Sequence, residues 1–391
     1  MAMNDMSIEQ VSTILNAIVN QATGKTATLT TYNSKDIISV AQTVLKTGYD
    51  PMTSAISQVL SRTIFSVRPY SKKFRGLEVS EQRWGNHVRK LQMIDGTFED
   101  DERLTLADGY SVDMYKVNKP KSLQTNFYGE DTFQRHITLY RDQLDTAFSS
   151  VGEFGSFVTM VMQNISDQIA QADETFDRAA IANFIAGKYT GDSASVIHLV
   201  TEYNAYAGTS YDSDTIKDPT AYEPFIKWVF GRIKTLTGVM SERSELFHIN
   251  VSGSEIKRHT PASRMKMYLF APTMNDITAS VLSDIYNDKM LKMADHESVN
   301  YWQNINVPDE ILCKPVYMGT NGQLVNAVND VNVENIFGVI FDEEAIGVTR
   351  CNQWSERTPM NAAGGYTNMF WHWTRRYWND FTENGVILLM D

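Results

Sequence analysis

The chain has 391 residues, 42 % of them hydrophobic, which suffices for a sizeable core and excludes disorder as its main state. Its 35 basic and 47 acidic residues leave a net charge of −12, the wrong sign for a protein whose main work is gripping phosphates. Two cysteines, Cys313 and Cys351, cannot make a disulfide framework and lack CxxC spacing, so a reducing compartment is expected. Met1 to Gln10 holds no Lys or Arg and no apolar run, so no secretory signal is expected there. Short runs such as Val386 to Met390 fall far below the about 20 residues that a membrane-spanning helix needs.

The first sixty-odd residues predict three short helices. Ser7 and Gln10 form a capping box ahead of Val11, Ile14, Leu15 and Ile18, and Gly24 stops the run. A second helix starts at Ser34 with Ile37, Val40, Ala41 and Val44 on one face and ends at Gly48. The third opens on Asp50-Pro51 and carries Ile56, Val59 and Leu60. Each is too short to be stable alone and needs a surface to lie on.

From Lys72 to Lys119 the composition changes: 18 of these 48 residues are charged, against 21 % for the whole chain. The signs are segregated, with basic residues dominating Lys72 to Lys90 and acidic ones Asp95 to Asp113. Alternating stretches (Leu104, Leu106; Tyr110, Val112, Met114) and the turn pairs Asp95-Gly96 and Asp108-Gly109 predict a long β-hairpin arm. Two readings stand, a solvated hairpin or an arm lying on a neighbouring subunit with charge meeting charge. On the second, Lys72, Lys73 and Arg75 and, opposite in sign, Asp100, Asp101 and Glu102 are the candidate intersubunit contacts.

After a strand-like run from Ile137 to Phe148, Ser150 and Glu153 form a capping box. Apolar residues then recur at helical spacing from Val151 through Phe154, Val158, Met162, Ile165, Ile169, Phe176 and Ala180 to Phe184. A helix from Val151 to Ala186, closed by Gly187 and Gly191, would be about 54 Å long at 1.5 Å per residue. With no second segment of comparable length, it reads as a spine for a sheet more than as half of a coiled coil. Residues 191–219 read as a long loop or small insertion, followed by a helix from Ala221 to Thr237 with Pro224 in its first turn and Gly238 as its stop. Met265 to Phe270 reads as a strand leading through Pro272 into a helix capped by Thr273 and Asp276. Phe337 to Phe341, Phe370 to Trp373 and Val386 to Met390 read as further strands.

Signatures of catalysis fail at stated positions. Gly24-Lys25-Thr26 ends like a phosphate-binding loop, but Val19 stands where the first glycine belongs. His296-Glu297 meets Asn300 where a zinc protease needs His, and Asp212-Ser-Asp214 lacks the glycine and the third ligand of a calcium loop. No GxSxG or GxGxxG occurs. The clusters Glu99 to Glu102 and Asp342-Glu343-Glu344 read as solvated or intersubunit charge more than as acid/base sites, since consecutive loop residues point apart. Trp371, Trp373 and Trp378 with Arg375 and Arg376 could stack bases, or could supply aromatic core and subunit interface. The absence of a site in so long a chain shifts weight toward a structural role.

This order of elements resembles the major capsid proteins of tailed bacteriophages, with the Hong Kong 97-type fold. Ile137-Thr-Leu-Tyr140-Arg-Asp-Gln-Leu144 leading to Glu153-Phe154-Gly155 is similar to the strand-to-spine-helix junction of such proteins. Leu269-Phe270-Ala-Pro272-Thr-Met-Asn275 resembles a passage in the axial domain, and Phe337 to Ile346 with Asn384 to Leu388 resemble the C-terminal strands. The resemblance implies an α+β fold: an N-terminal helical arm at 1–66, an E-loop hairpin arm at 67–136 and a peripheral domain at 137–225 containing the spine helix. An axial domain at 226–334 and strands returning to the peripheral domain at 335–391 complete it. It implies no enzyme and no cofactor. The implied partners are further copies of the chain, in hexamers and pentamers of an icosahedral shell, with scaffolding, portal and decoration proteins as candidates. The shell would enclose double-stranded DNA without sequence-specific binding or a membrane, in a virion assembled in the host cytoplasm. A tail tube or sheath protein shares the self-association, and a hydrolase with an unrecognised site is the remaining class.

Overall fold

The computed structural model describes residues 73–79, 87–96, 100–115, 117, 119–143, 151–275 and 296–391. The three helices expected before Lys73, the capping box at Ser150 and the cap at Asp276 lie outside the described residues. Strands β1 (Val88–Met93) and β2 (Ser122–Phe127) pair antiparallel as a two-stranded ribbon. Strand β3 (Glu130–Tyr140) precedes the long helix α1 (Val151–Gly191). Then come β4 (Val196–His198), α2 (Leu199–Ala207), α3 (Pro219–Ser241), β5 (Met265–Phe270) and β6 (His296–Val299). Four three-residue strands follow: β7 (Ile311–Cys313), β8 (Val316–Met318), β9 (Leu324–Asn326) and β10 (Val331–Val333). The chain closes with β11 (Ile336–Asp342), β12 (Ile346–Arg357), β13 (Tyr366–Asn379) and β14 (Gly385–Leu389).

The core is built on a five-stranded sheet of order β4-β14-β11-β5-β6, parallel at its two edges and antiparallel in the middle. Successive side chains of a strand point to opposite faces, so β11 and β14 must be apolar at every position if both faces are covered. They are covered. Val339, Phe341, Ile387 and Leu389 meet Ile181, Phe184 and Ile185 of α1 on one face. Ile340, Val386 and Leu388 meet Phe225, Val229 and Ile233 of α3 and Leu199 of α2 on the other. Asp218 starts α3 by accepting the Thr220 N–H at 3.0 Å, with Pro219 at the position where its missing donor costs nothing.

A second sheet, β12-β13-β3, lies against the preceding part of α1. Its middle strand buries Met369, Trp371 and Trp373, and Phe133 of β3 stacks on Phe176 of α1 with centroids 4.4 Å apart. Charged residues also lie in this layer: Asp173, Glu174, Asp177 and Arg178 of α1 are all buried, and Asp173 joins the helix to Arg375 of β13.

Several local expectations are corrected. The strand expected from Ile137 begins at Glu130 and gives way to helix at Arg141, because β13 supplies a partner from Arg376 opposite Glu130 to Tyr366 opposite Tyr140; the rest of the expected run, 144–148, lies outside the described residues. Gly187 does not stop α1, which runs on to Gly191; a Cβ at Gly187 would lie 2.6 Å from the Phe381 ring, so this glycine marks close packing. Residues 191–219 are no plain loop, since Val196 and Ile197 join the sheet and Leu199, Val200 and Tyr203 bury one face of α2. Helix α3 begins earlier and ends later than expected, which puts Pro224 beyond the first turn and Gly238 inside.

Candidate assembly surfaces

The arm's strands are not its most charged stretches: β1 holds only Arg89 and Lys90, and β2 holds no charged residue. The ribbon β1–β2 carries VRKLQM opposite SLQTNF, and β1 alternates half-buried and exposed positions, with Val88, Lys90 and Gln92 inward and Arg89, Leu91 and Met93 outward. The stretches expected to be strands, Leu104 to Leu106 and Tyr110 to Met114, are not strands: among the described residues none pairs with them, and a 3-10 turn occupies Glu102–Thr105. Asp108-Gly109 does turn, with Gly109 at φ 90° and the Tyr110 N–H donating to Ala107 O at 3.1 Å. Asp95-Gly96 does not; Asp95 is engaged elsewhere.

Polar anchors fix the base of the ribbon to the rest of the subunit. The Lys90 ammonium donates to Asp380 at 2.8 Å and to Glu383, and lies 3.1 Å from Glu344. Burial works against its charge, yet the attraction of Asp380 and Glu383 overrides burial and lifts Lys90 above the usual lysine value. Next along the strand, Gln92 accepts from Arg258, which also donates to Thr382 O at 2.9 Å and pairs with Glu383 at 3.2 Å. At the end, Asp95 accepts the backbone N–H of Lys257 at 3.0 Å and pairs with Arg243. Asp380 and Glu383 sit in the turn between β13 and β14, whose Phe381 ring stacks on Phe184 of α1 at 5.6 Å. The arm is thus tied to the turn that packs on the long helix.

Beyond the ribbon, the tip is exposed and sets large apolar side chains among acidic ones. Leu104 is 86 %, Met114 81 % and Tyr115 80 % exposed, and Leu106, Tyr110, Val112 and Val117 are exposed beside them. Monomeric proteins seldom leave so many large apolar side chains on one segment in water.

Of the six sequence-derived contact candidates, Lys72 lies outside the described residues. Lys73 is exposed at the head of a segment whose Phe74 and Leu77 are buried, with Phe74 packed on Tyr268 at 5.2 Å, and Arg75 opens the 3-10 turn of that segment. Asp100 and Asp101 are exposed on the arm; Asp101 holds Arg103 and caps the turn that begins at Glu102. The two stretches therefore sit on different supports, one on the core and one on the arm. Of the aromatic cluster near the C-terminal end, Trp371 and Trp373 are buried, Arg375 is bound to Asp173 and Arg376 to Glu130, so the core reading holds and base stacking by these two tryptophans does not. The acidic run Asp342 to Glu344 holds Arg264 and Lys90. Among the described residues no His/Cys/Asp/Glu group could hold a metal ion, and no helix is long and apolar enough to cross a membrane. Sequence reasoning missed Lys90, Gln92, Arg258, Asp380 and Glu383 altogether.

Residues 15–389 match the sequence family described as Phi29-like phage major capsid protein. The chain belongs to that family. It is a major capsid protein of the tailed-phage kind, a structural component of the virion. No curated protein matches its sequence. Its fold is the Hong Kong 97 type. The capsid protein superposes on a chain of the capsid structure of Staphylococcus phage Andhra with TM-score 0.50 and 11 % identity, covering 83 % of this chain and 88 % of that one. A chain in the structure of head fiber and inner core protein gp22 of native bacteriophage P68 gives TM-score 0.52 at 11 % identity, covering 82 % of this chain and 85 % of the other. At such identities the likeness is one of fold.

Proposed function

We propose that copies of this chain join, by seating the hairpin arm on a neighbouring subunit, into hexamers and pentamers of a closed icosahedral shell around double-stranded phage DNA. The observation that carries this is the arm's tip: a row of exposed Leu, Met, Tyr and Val side chains held out on a two-stranded ribbon, with no core of its own. Buried on a second copy, these residues supply interface area that the subunit does not use for folding. The net charge of −12 suits a wall from which packaged DNA must be released, since a basic lining would hold phosphates. On this reading the chain has no catalytic chemistry, assembles in the host cytoplasm, and meets scaffolding, portal or decoration proteins through surfaces other than the arm.

The test replaces Leu104, Tyr110, Met114 and Tyr115 by serine in one chain. The subunit's melting temperature is expected to stay within about 2 °C, because exposed substitutions change stability little, and sedimenting particles are expected to vanish. Negative-stain images of the wild-type particles distinguish closed shells from tubes. Shells at normal yield from the serine variant would remove the arm tip from assembly.

A further inference from the structure

Lys90 does work that folding alone does not require. An isolated two-stranded ribbon is marginally stable in water, and outward Leu91 and Met93 contribute no burial, being 60 % and 63 % exposed. The ribbon is fixed to the subunit by the contact of Phe127 with Trp378, centroids 6.1 Å apart, and by the row of polar anchors at Lys90, Gln92 and Asp95. Lys90 is the most enclosed of their charged pairs, its side chain 16 % exposed against 2 % for Asp380 and 8 % for Glu383. A buried ion pair adds little net stability compared with an apolar pair of the same size, because desolvation offsets the attraction. Its directional bonds fix a geometry instead.

We propose that Lys90 is a positioning residue for assembly: an ionic latch, closed on Asp380, Glu383 and Glu344, that sets the angle at which the arm leaves the subunit. This rests on the reading that the arm tip meets a neighbouring copy. The lever makes the angle matter. Six residues of strand span about 20 Å, so a 10° swing at the base displaces the far end of β1 by roughly 3.5 Å, and the tip beyond it by more. A displacement of that size separates apolar groups that must touch within about 4.5 Å. The groups facing the latch are Asp380 and Glu383 from the β13–β14 turn, Glu344 from the β11–β12 turn, Arg258, which shares Glu383, and Arg264, which shares Glu344. Two of the three carboxylates are therefore also held by an arginine, Glu383 through the oxygen that meets Lys90 and Glu344 through its other oxygen, and Asp380 is held by the Thr382 N–H at 2.9 Å and the Thr382 hydroxyl at 2.6 Å. The receptor is organised on the subunit, and Lys90 is the part that the arm brings.

The experiment uses the whole chain in four forms: wild type, Lys90→Met, Lys90→Met with Asp380→Asn, and Lys90→Arg. In the double variant Asp380 is neutral, Glu383 keeps Arg258 at 3.2 Å and Glu344 keeps Arg264, so no buried carboxylate is left without a cation and the variant folds even if Lys90→Met alone does not. Hydrogen exchange is measured on unassembled subunits and particle yield by sedimentation. In the double variant, amides of β1 and β2 should exchange at least about tenfold faster while those of α1, β11 and β14 stay protected, and particle yield should fall at least about tenfold. Lys90→Arg should restore both. Unchanged exchange in β1 and β2 would overturn the latch, and so would loosened strands with a normal particle yield. Exchange on the unassembled subunit does not depend on where the tip docks, so failure of the latch is distinguishable from failure of the serine test of the tip.

Discussion

Asp173 and Arg375 join the long helix to the middle of the three-stranded sheet through two parallel hydrogen bonds, each 2.7 Å, with both side chains almost wholly buried. Arg350, from the neighbouring strand β12, lies 3.4 Å from the same carboxylate. One aspartate of α1 thus gathers two strands, and ionic contacts stand beside the Phe133–Phe176 stack between helix and sheet.

Removing one member of this pair leaves a buried charge with too few partners. Arg375→Met should destabilise the subunit by about 3–5 kcal/mol. Combining it with Asp173→Leu should recover much of the loss, since both charges then leave the interior and Arg350 retains Glu78 at 3.5 Å. Urea denaturation of the three variants measures this, and a single variant within 0.5 kcal/mol of wild type, roughly the scatter of surface substitutions, would show that the pair does not hold the layers.

Gly187→Ala tests whether α1 is locked to the β13–β14 turn. In an open helix the change would stabilise by about 0.5–1 kcal/mol. Here the added methyl would lie 2.6 Å from two carbons of the Phe381 ring and 3.0 Å from Cβ of Tyr317. Overpacking of this kind costs about 1–3 kcal/mol, and Phe381 cannot step aside without leaving its stack on Phe184. A lower melting temperature is expected; a higher one would mean the turn is loose.

Charge on the arm should act between subunits and not within one. Reversing Asp100, Asp101 and Glu102 to lysine should leave the melt of the unassembled subunit in place, because Asp100 and Asp101 are exposed and Asp101 engages only nearby Arg103 among the ion pairs described. Particle yield should fall as like charges meet. A compensating reversal of Lys72, Lys73 and Arg75 to glutamate restores the yield if those two stretches face each other across the contact. Normal yield from the first reversal would make the arm's charge a matter of solubility alone.

The third anchor of the ribbon is pH-dependent. Asp95 is held below its ordinary value of 3.8 by the Lys257 backbone N–H, with Arg243 adding to the effect. A carboxyl with a lowered folded-state value stabilises fully above its unfolded value and loses that contribution as pH falls through the folded one. Protection of β1 and β2 amides, corrected for intrinsic exchange, should therefore fall below about pH 4 as Asp95 takes up its proton, beside the titration of the Lys90 partners, of which Glu383 is pushed up by burial. In Asp95→Asn this acid step should be smaller. A step of equal size in that variant would assign it to other carboxylates.

The long helix and the buried strands were legible because their signals are local. Apolar recurrence at helical spacing announces α1, and the unbroken apolar runs 337–341 and 386–390 announce strands covered on both faces. The hairpin misled for an equally physical reason. Alternation at Tyr110, Val112 and Met114 looks like a half-buried strand, but these residues have nothing to be buried against within one subunit, whereas the real strand VRKLQM turns a lysine inward. That lysine answers to an aspartate 290 residues away, and no spacing rule connects the two. Strand β12 was hidden by the irregularity between Arg350 and Gln353, which interrupts its alternation, and β7 to β10 are too short to show a period.

The place of β14 between β4 and β11 constrains how the polypeptide can be made. Strand β4 has no other partner in its sheet, so Val196 to His198 must wait, through the synthesis of everything from α2 to β13, for Ile387 to Leu389 to emerge. Until then one edge of β11 and the apolar faces of α1 and α3 stand open to water and to other nascent chains. Pairing across so long a separation is slow, because the entropy of closing the loop comes before any reward. An interrupted translation product would lack the strand that completes the sheet and offer its neighbours an unfinished surface. A chain without β14 therefore leaves β4 and one edge of β11 uncovered in the sheet order β4-β14-β11-β5-β6.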